Sequence, residues 1–250
     1  MKIGSIAFGR YLLLAKGAKS HYTEIWKGVK IPDELKEKLK EKEEDILNSS
    51  SDEEKTEKLE AFLLESQGEV LPKTLTFFRG VQPEDRDRYL SRYSFLVEKE
   101  IPRLLKVEGM EYNEEKKIFL LVTEYIQGIP LNKMISKKGP NGAWGMKVAH
   151  YLIHFFHEIH NQGIVHGGIR PDSILFVEET DFKIRGVGIL ELLGGPMGSR
   201  APRGPGALRF VPKELWEKEK LPNPLSDIYS LGMCLYYLLS GTLPIKGDKP

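Results

Sequence analysis

The sequence predicts an α+β chain, with strand-forming runs gathered in its first half and helical stripes in its second. Three observations carry this. Residues 11–16, 24–31, 74–79, 103–107 and 117–122 are short runs rich in Leu, Ile, Val, Phe and Trp, bounded by polar or turn-forming residues. Residues 143–160 set Trp144, Val148, Leu152, Phe155 and Ile159 along one helical stripe. Residues 228–239 are apolar nearly all round, as a buried helix should be.

Composition narrows the function classes. A chain of 250 residues with 40% hydrophobic content can bury a real core, in one domain or two parts. A net charge of +1 argues against a dedicated nucleic-acid binder. The single cysteine, Cys234, leaves no disulfide framework or zinc spacing and fits a reducing, cytoplasmic setting. Arg10 breaks the N-terminal apolar run, and no small-residue cleavage site follows it, so no signal peptide is expected. The apolar block at 228–239 is too short to span a bilayer, so no membrane segment is expected either. Abundant Glu and Lys with scarce Gln hint at a thermophilic source.

The elements follow in order. The first two strands form a hairpin around AKSHYTEIWKG, residues 18–28. From 32 to about 68 the pattern turns helical: Leu35, Leu39 and Ile46 share a face, and LEAFLLE resumes the period after a break at 48–51. Ser51 and Glu54 can form a capping box for the second helix. This acidic helical hairpin reads as a solvated, charge-laced face or as a partner-docking arm. A strand at 74–79 leads into a helix at 83–99, opened by Pro83, Glu84 and Asp85 as helix starts prefer. Strands at 103–107 and 117–122 flank a polar turn at 113–115. On the helix at 143–160, His150, His154 and His157 share a face at zinc-binding spacing. No cysteine or carboxylate at ligand spacing joins them, so no metal is expected there.

One stretch organises the rest: residues 164–189, IVHGGIRPDSILFVEETDFKIRGVGI. It resembles the catalytic loop and metal-binding turn of protein kinases, which read His-Arg-Asp, two residues, Pro, one residue, Asn, an apolar strand and Asp-Phe-Gly. His166, Pro171, Ile174, Leu175 and Gly188 stand where that frame needs them. Gly168 stands at the position of the catalytic base, Ser173 at that of the metal-holding asparagine, and Gly186 at that of the metal-binding aspartate. Arg170 takes the place of the catalytic-loop lysine, where it can contact a phosphate or form an ion pair within the fold.

Further resemblances follow in the family's order. Residues 18–28 resemble the phosphate-covering loop, with Ile25 and Trp26 at its apolar pair and Ala18, Ser20 and Thr23 at its glycine positions. In the strand at 74–79, Phe77 or Phe78, depending on register, stands at the lysine that grips the nucleotide; Arg79 is out of step with it. If Leu96 is the core leucine of the next helix, Arg92 replaces the glutamate that would pair with that lysine. LVTEYIQGIPL, 121–131, resembles the hinge, with Thr123 gating the pocket and Glu124, Tyr125 and Ile126 offering backbone groups to an adenine edge. His160 belongs to the pattern leading into the catalytic loop. GGPMGSRAPRGPG, 194–206, corresponds to the activation segment with Ser199 as its only hydroxyl, and Val211, Pro212 and Lys213 stand at its Ala-Pro-Glu end. LSDIYSLGMCLYYLLSGTLPI matches the central helix of the large lobe, with Asp227 at the aspartate that holds the catalytic-loop backbone.

The resemblance implies a bilobal protein kinase-like fold. Its small β-rich N-lobe covers 1–125 with the helical insertion at 32–72; its mostly helical C-lobe covers 126–250 and stops after the central helix, without the family's last helices. The retained residues, His166, Pro171, Gly188, Pro212, Asp227 and Gly232, are architectural in the family. The lost ones are chemical. Losing a general base alone costs about 10²–10⁴ in rate, and losing the metal ligands adds several kcal/mol. The implied molecule is a pseudokinase with no catalytic residue, no bound metal, and little or no ATP binding, none of it through magnesium. Three roles fit: a scaffold or regulator of a protein partner, a metal-independent sensor of a nucleotide or phospho-ligand through the hinge and Arg170 or Arg185, and an enzyme with relocated residues. A partner or a second copy is expected on an apolar surface around Leu215, Trp216, Tyr236 and Tyr237.

Overall fold

In the computed structural model, residues 1–20, 22–67, 69–97, 99–189, 207–217 and 220–244 are described. The α+β organisation is present. The chain forms two compact units, one of residues 1–98 and 106–125, the other of 99–105 and 126–250.

The first unit is built on a six-stranded antiparallel sheet in the order β1-β2-β3-β4-β6-β5. Its strands are β1 (Ile6–Ala7), β2 (Tyr11–Lys19), β3 (Thr23–Lys30), β4 (Lys73–Arg79), β5 (Val107–Asn113) and β6 (Ile118–Glu124). Side chains alternate between its faces. Tyr11, Leu13, Trp26, Leu75, Phe77, Leu120 and Val122 form a core on one face, with Ile3, Ala7 and Phe8 of the N-terminal segment packed on it. A second core joins Leu12, Leu14, Val29 and Ile31 to the inserted helices α1 (Asp33–Glu41), α2 (Glu43–Leu47) and α3 (Asp52–Gln67). Its helical members are Leu35, Leu39, Ile46, Leu59, Phe62 and Leu63.

The insertion is therefore three helices rather than a hairpin of two, and its apolar face is core. The run that reads as one helix divides at Lys42 (φ −96°, ψ 1°), whose backbone lies outside the helical region. The capping box is redistributed: Ser51 Oγ accepts from Glu54 N at 3.1 Å, while the Glu54 carboxylate accepts from the backbone and hydroxyl of Ser50. The expected strand at 103–107 is also corrected. Arg103 has φ +66°, which no extended run tolerates, and β5 starts at Val107, where the expected strand ended.

The second unit contains a three-stranded sheet of β7 (Ile129–Pro130), β8 (Ile174–Phe176) and β9 (Phe182–Ile184), and the helices α5 (Leu131–Lys138), α6 (Gly142–Asn161) and α7 (Pro224–Ser240). The Asn141 side chain caps α6 by accepting from Trp144 N at 3.0 Å. The stripe Trp144, Val148, Leu152, Phe155 and Ile159 is buried throughout; each such side chain contributes about 1.5–3 kcal/mol. Asn223 caps α7, Pro224 opens it, and Gly241 at φ +71° ends it. This helix is not buried all round. Asp227, Ser230, Leu231, Cys234 and Leu238 face inward, whereas Leu225 is 72% and Ile228 58% exposed.

Candidate functional site

The loop before β8 is held from beneath by α7. Asp227, 1% exposed, accepts the backbone N–H of His166 at 2.7 Å through Oδ2 and that of Gly167 at 2.8 Å through Oδ1. His160 Nε2 lies 3.0 Å from the same Oδ2. His166 is fully buried, its Nε2 3.1 Å from the carbonyl oxygen of Arg185, and its own carbonyl accepts from Gly188 N at 2.7 Å. Three neutral or charged donors thus surround a buried carboxylate, the condition under which burial of its charge is tolerated. His166, Gly188 and Asp227 come together here; Pro171 opens the 3₁₀ turn Pro171–Ser173 that follows. Farther on, Pro212 precedes the 3₁₀ turn Lys213–Trp216, and Ser230 Oγ of α7 ties this region down by donating to Phe210 O at 2.6 Å.

The three positions that the resemblance sets against phosphate-transfer chemistry, Gly168, Ser173 and Gly186, offer one side-chain oxygen between them. Gly168 and Gly186 have no side-chain donor atom. Gly186 also sits at φ +88°, a backbone conformation that an aspartate adopts only under strain. Ser173 does carry an oxygen, but its hydroxyl donates to Arg170 O at 2.7 Å and accepts from Arg170 N at 3.1 Å. Magnesium takes carboxylate and phosphate oxygens in near-ideal octahedral geometry, and these residues do not fit it. No group of three or more His, Cys, Asp or Glu among the described residues could hold a metal ion. That includes His150 and His154, which meet ring to ring, 4.4 Å between centroids.

In the first unit the register sets Phe77 and Phe78 on opposite faces of the sheet. Thr23, Phe78 and Phe119 form one cross-strand row, and Ile25, Thr76 and Leu121 the next, on one face of the sheet. Phe78 meets Tyr89 of α4 (Pro83–Val97) edge-on, and Tyr89 and Tyr93 pack on Phe119. The helix residue that meets Phe78 is thus Tyr89, and the contact is aromatic. Phe77 points to the opposite face with Leu75 and Trp26. Arg79 shares that opposite face, where Nη2 lies 2.5 Å from the carboxylate of Glu24. Trp26 Nε1 donates to the same carboxylate at 3.0 Å. Burial pushes the Glu24 carboxyl up, but the Arg79 and Trp26 hydrogen bonds prevail and hold it below the ordinary carboxylate range. Alternation along β4 signals this pair: Leu75, Phe77 and Arg79 are two apart.

At the hinge segment, Glu124 exchanges two hydrogen bonds with Lys106: its N–H donates to Lys106 O at 3.0 Å, and its Oε1 accepts from Lys106 N at 2.9 Å. The Tyr125 ring lies under Lys27 Nζ, 5.2 Å from ring centroid to nitrogen, and Glu60 of α3 pairs with that ammonium at 2.7 Å. Ile126 begins the second unit. Arg170 pairs with Asp172, Nη2 to Oδ2 3.1 Å. Ser199 and the rest of 194–206 lie outside the described residues. The expected apolar surface is only partly present: Leu215 is buried, its N–H returning to Pro212 O, and Trp216 and Tyr237 are half-buried, while Ile228, Tyr236 and Leu239 are exposed.

Comparison with known proteins agrees with this geometry. Residues 81–250, more than half of the chain, match the family profile described as the protein kinase domain. The match starts after β4, so the hairpin, the insertion and Phe78 lie outside it. Serine/threonine-protein kinase PrkC of Bacillus subtilis is 27% identical over 140 residues, covering 56% of this chain and 22% of the relative. The Corynebacterium efficiens protein named serine/threonine-protein kinases drp72 is 31% identical over 130 residues, 52% of this chain and 25% of its own. CBL-interacting serine/threonine-protein kinase 16 of Arabidopsis thaliana is 32% identical over 169 residues, 61% and 36%. The chain thus spans roughly a quarter to a third of these relatives.

Proposed function

The chain belongs to the protein kinase family, and from that premise we propose that it is a pseudokinase: a regulatory or scaffolding module that engages a protein partner without transferring phosphate. The observation that carries this reading is the state of the chemical positions. Ser173 spends its hydroxyl on Arg170, Gly186 has a left-handed backbone, and Phe78 is enclosed by Tyr89 and Phe119. The loop frame, by contrast, is held by Asp227, which accepts the backbone N–H groups of His166 and Gly167. Phosphoryl transfer is positioning plus neutralisation of charge; a frame without metal donors supplies only the first.

The scaffolding half of the reading is supported by α7. Leu225, Ile228, Tyr236 and Leu239 stand exposed on it at spacings of three, eight and three, which keeps them near one side of the helix. Exposed apolar patches of this kind beyond a few hundred Å² mark interaction sites. The reading also holds that ATP binds weakly or not at all, and that the protein works in the cytoplasm, where a lone buried cysteine stays reduced. Among the described residues no helix is long and apolar enough to cross a membrane.

The test is a thermal-shift titration with ATP, with and without magnesium, beside a pull-down with the wild type and Ile228→Asp. A nucleotide bound at a hundredfold excess over its dissociation constant stabilises by about 2.7 kcal/mol. The reading expects no such gain, and partners lost from the Ile228→Asp sample. A full gain with magnesium, or an unchanged partner set, contradicts it.

A further inference from the structure

Arg103 is a cation without an acceptor. Its backbone takes φ +66°, a left-handed conformation that a non-glycine residue keeps only where its surroundings fix it. Two hydrogen bonds with β9 do so: Ile184 N donates to Arg103 O at 2.7 Å, and Leu105 N donates to Ile184 O at 2.9 Å. The guanidinium lies between two rings, its Cζ 4.5 Å from the centroid of Phe182 and 4.9 Å from that of Tyr151 on α6. Nη1 is sealed from solvent with no hydrogen-bond partner, and among the described residues no carboxylate pairs with this side chain. Ring faces attract the charge but leave its N–H groups without lone pairs to meet. The five donors form a planar fork, and a carboxylate matches such a fork with two oxygens. A single fixed charge suits a singly charged acid.

The surface beside it extends the argument. The Tyr151 ring meets His150, centroids 5.9 Å apart, and His150 meets His154 at 4.4 Å. Met146, His150, Ile153 and His157 follow at spacings of four, three and four, which lines them along one side of α6. Met146 is 62% and Ile153 51% exposed. Lys147, Tyr151, His154 and Glu158 form the neighbouring row at the same spacings. Of the charged residues beside Arg103, Lys99 and Glu100 offset each other, as do Asp181 and Lys183 around Phe182. Arg103 and Lys147 against Glu158 therefore leave the face positive even with every imidazole neutral. Apolar, aromatic and cationic groups in one place complement a segment that is acidic and partly apolar.

We infer that Arg103 and the exposed rows of α6 form a docking face for an acidic peptide segment of a partner protein, with one Glu or Asp side chain seated on the Arg103 fork. The face belongs to the second unit and lies on a different helix from the α7 patch. It goes beyond the interaction-module reading and does not rest on it, since it stands whether or not phosphoryl transfer is lost.

The test uses the full chain and short fluorescein-labelled peptides alternating Glu and Leu, read by anisotropy, beside the same peptides with Gln or Lys at the Glu positions. Saturable binding of the Glu peptide is expected, weakened at least about tenfold by Arg103→Gln or by Gln in the peptide, and absent with Lys. Arg103→Lys, which keeps the charge but not the fork, should bind between wild type and Arg103→Gln. Should Arg103→Gln not fold, Lys147→Glu and His150→Glu carry the test, since both residues are exposed on α6, and each should weaken binding. Ile228→Asp on α7 should leave the peptide affinity unchanged, which separates this face from the patch in the preceding reading. No binding at millimolar peptide, equal binding of the Glu, Gln and Lys peptides, binding indifferent to the Arg103 and α6 substitutions, or binding lost in Ile228→Asp overturns the inference.

Discussion

Phe78 and Tyr89 meet edge to face, ring centroids 5.7 Å apart and planes at 73°, joining β4 to α4. Aromatic pairs in this geometry add about 0.5–1.5 kcal/mol beyond the area they bury. The contact is structural capital that a charge cannot replace. Phe78→Ala should destabilise the chain by about 3–5 kcal/mol, read as a fall in urea midpoint at constant slope. Phe78→Lys should be at least as severe, because Tyr89 and Phe119 offer its ammonium no carboxylate. A Phe78→Lys protein of wild-type stability would show that the pocket tolerates the family's lysine after all.

Gly186 supplies the second prediction. With φ at +88°, Gly186→Asp should cost about 1–3 kcal/mol in backbone strain. It should also yield no magnesium-dependent thermal shift, since Gly168 and Ser173 still give the metal nothing. A shift that titrates with magnesium in this single variant would show the loop re-forms its metal site readily.

The insertion should behave as core. Leu63→Ala and Leu59→Ala, both in fully buried positions, should each cost about 2–5 kcal/mol. Glu57→Gln on the outer side of α3 should fall within about 0.5 kcal/mol of wild type. Deleting residues 33–67 should expose Leu12, Leu14, Val29 and Ile31 and produce aggregated protein in size-exclusion chromatography. A soluble, cooperatively unfolding deletion variant would restore the picture of a solvated arm.

The Glu24–Arg79 pair predicts a pH dependence. The folded Glu24 carboxyl lies below its ordinary range, so the unfolded chain binds its proton first as pH falls. The stabilisation is therefore complete above the unfolded carboxyl value, near 4.5, and is lost as pH falls through the folded one. Glu24→Gln should flatten the stability–pH curve below about pH 5 relative to wild type and lower stability at pH 7 by about 1–3 kcal/mol. Parallel curves for the two proteins from pH 3 to 6 would remove Glu24 from the account.

What the sequence made legible follows from which interactions leave a periodic trace. The α6 stripe and the loop frame of His166, Pro171 and Gly188 could be read because apolar spacing and turn chemistry are written in side chains. Which face each of Phe77 and Phe78 takes depends on the strand register, which sets all alternate residues to one face at once. The strand expected at 103–107 does not form because Arg103 takes a left-handed backbone that its residue type does not announce. The inward turn of Leu215 is not legible because the return of its N–H to Pro212 O is a backbone event. The Arg185 contact with Asp172 has the same origin: a carbonyl acceptor leaves no mark in the sequence.

The central claim is that the kinase frame persists without its chemistry, and phosphoryl transfer itself tests that most directly. Purified chain would be incubated with γ-labelled ATP, magnesium or manganese, and a generic protein substrate, beside Gly168→Asp and Asp172→Asn. The account predicts no label transfer above the protein-free background in any of the three, because restoring a base leaves the metals without ligands. Transfer by the wild type that co-purifies with the chain and disappears in Asp172→Asn would contradict it.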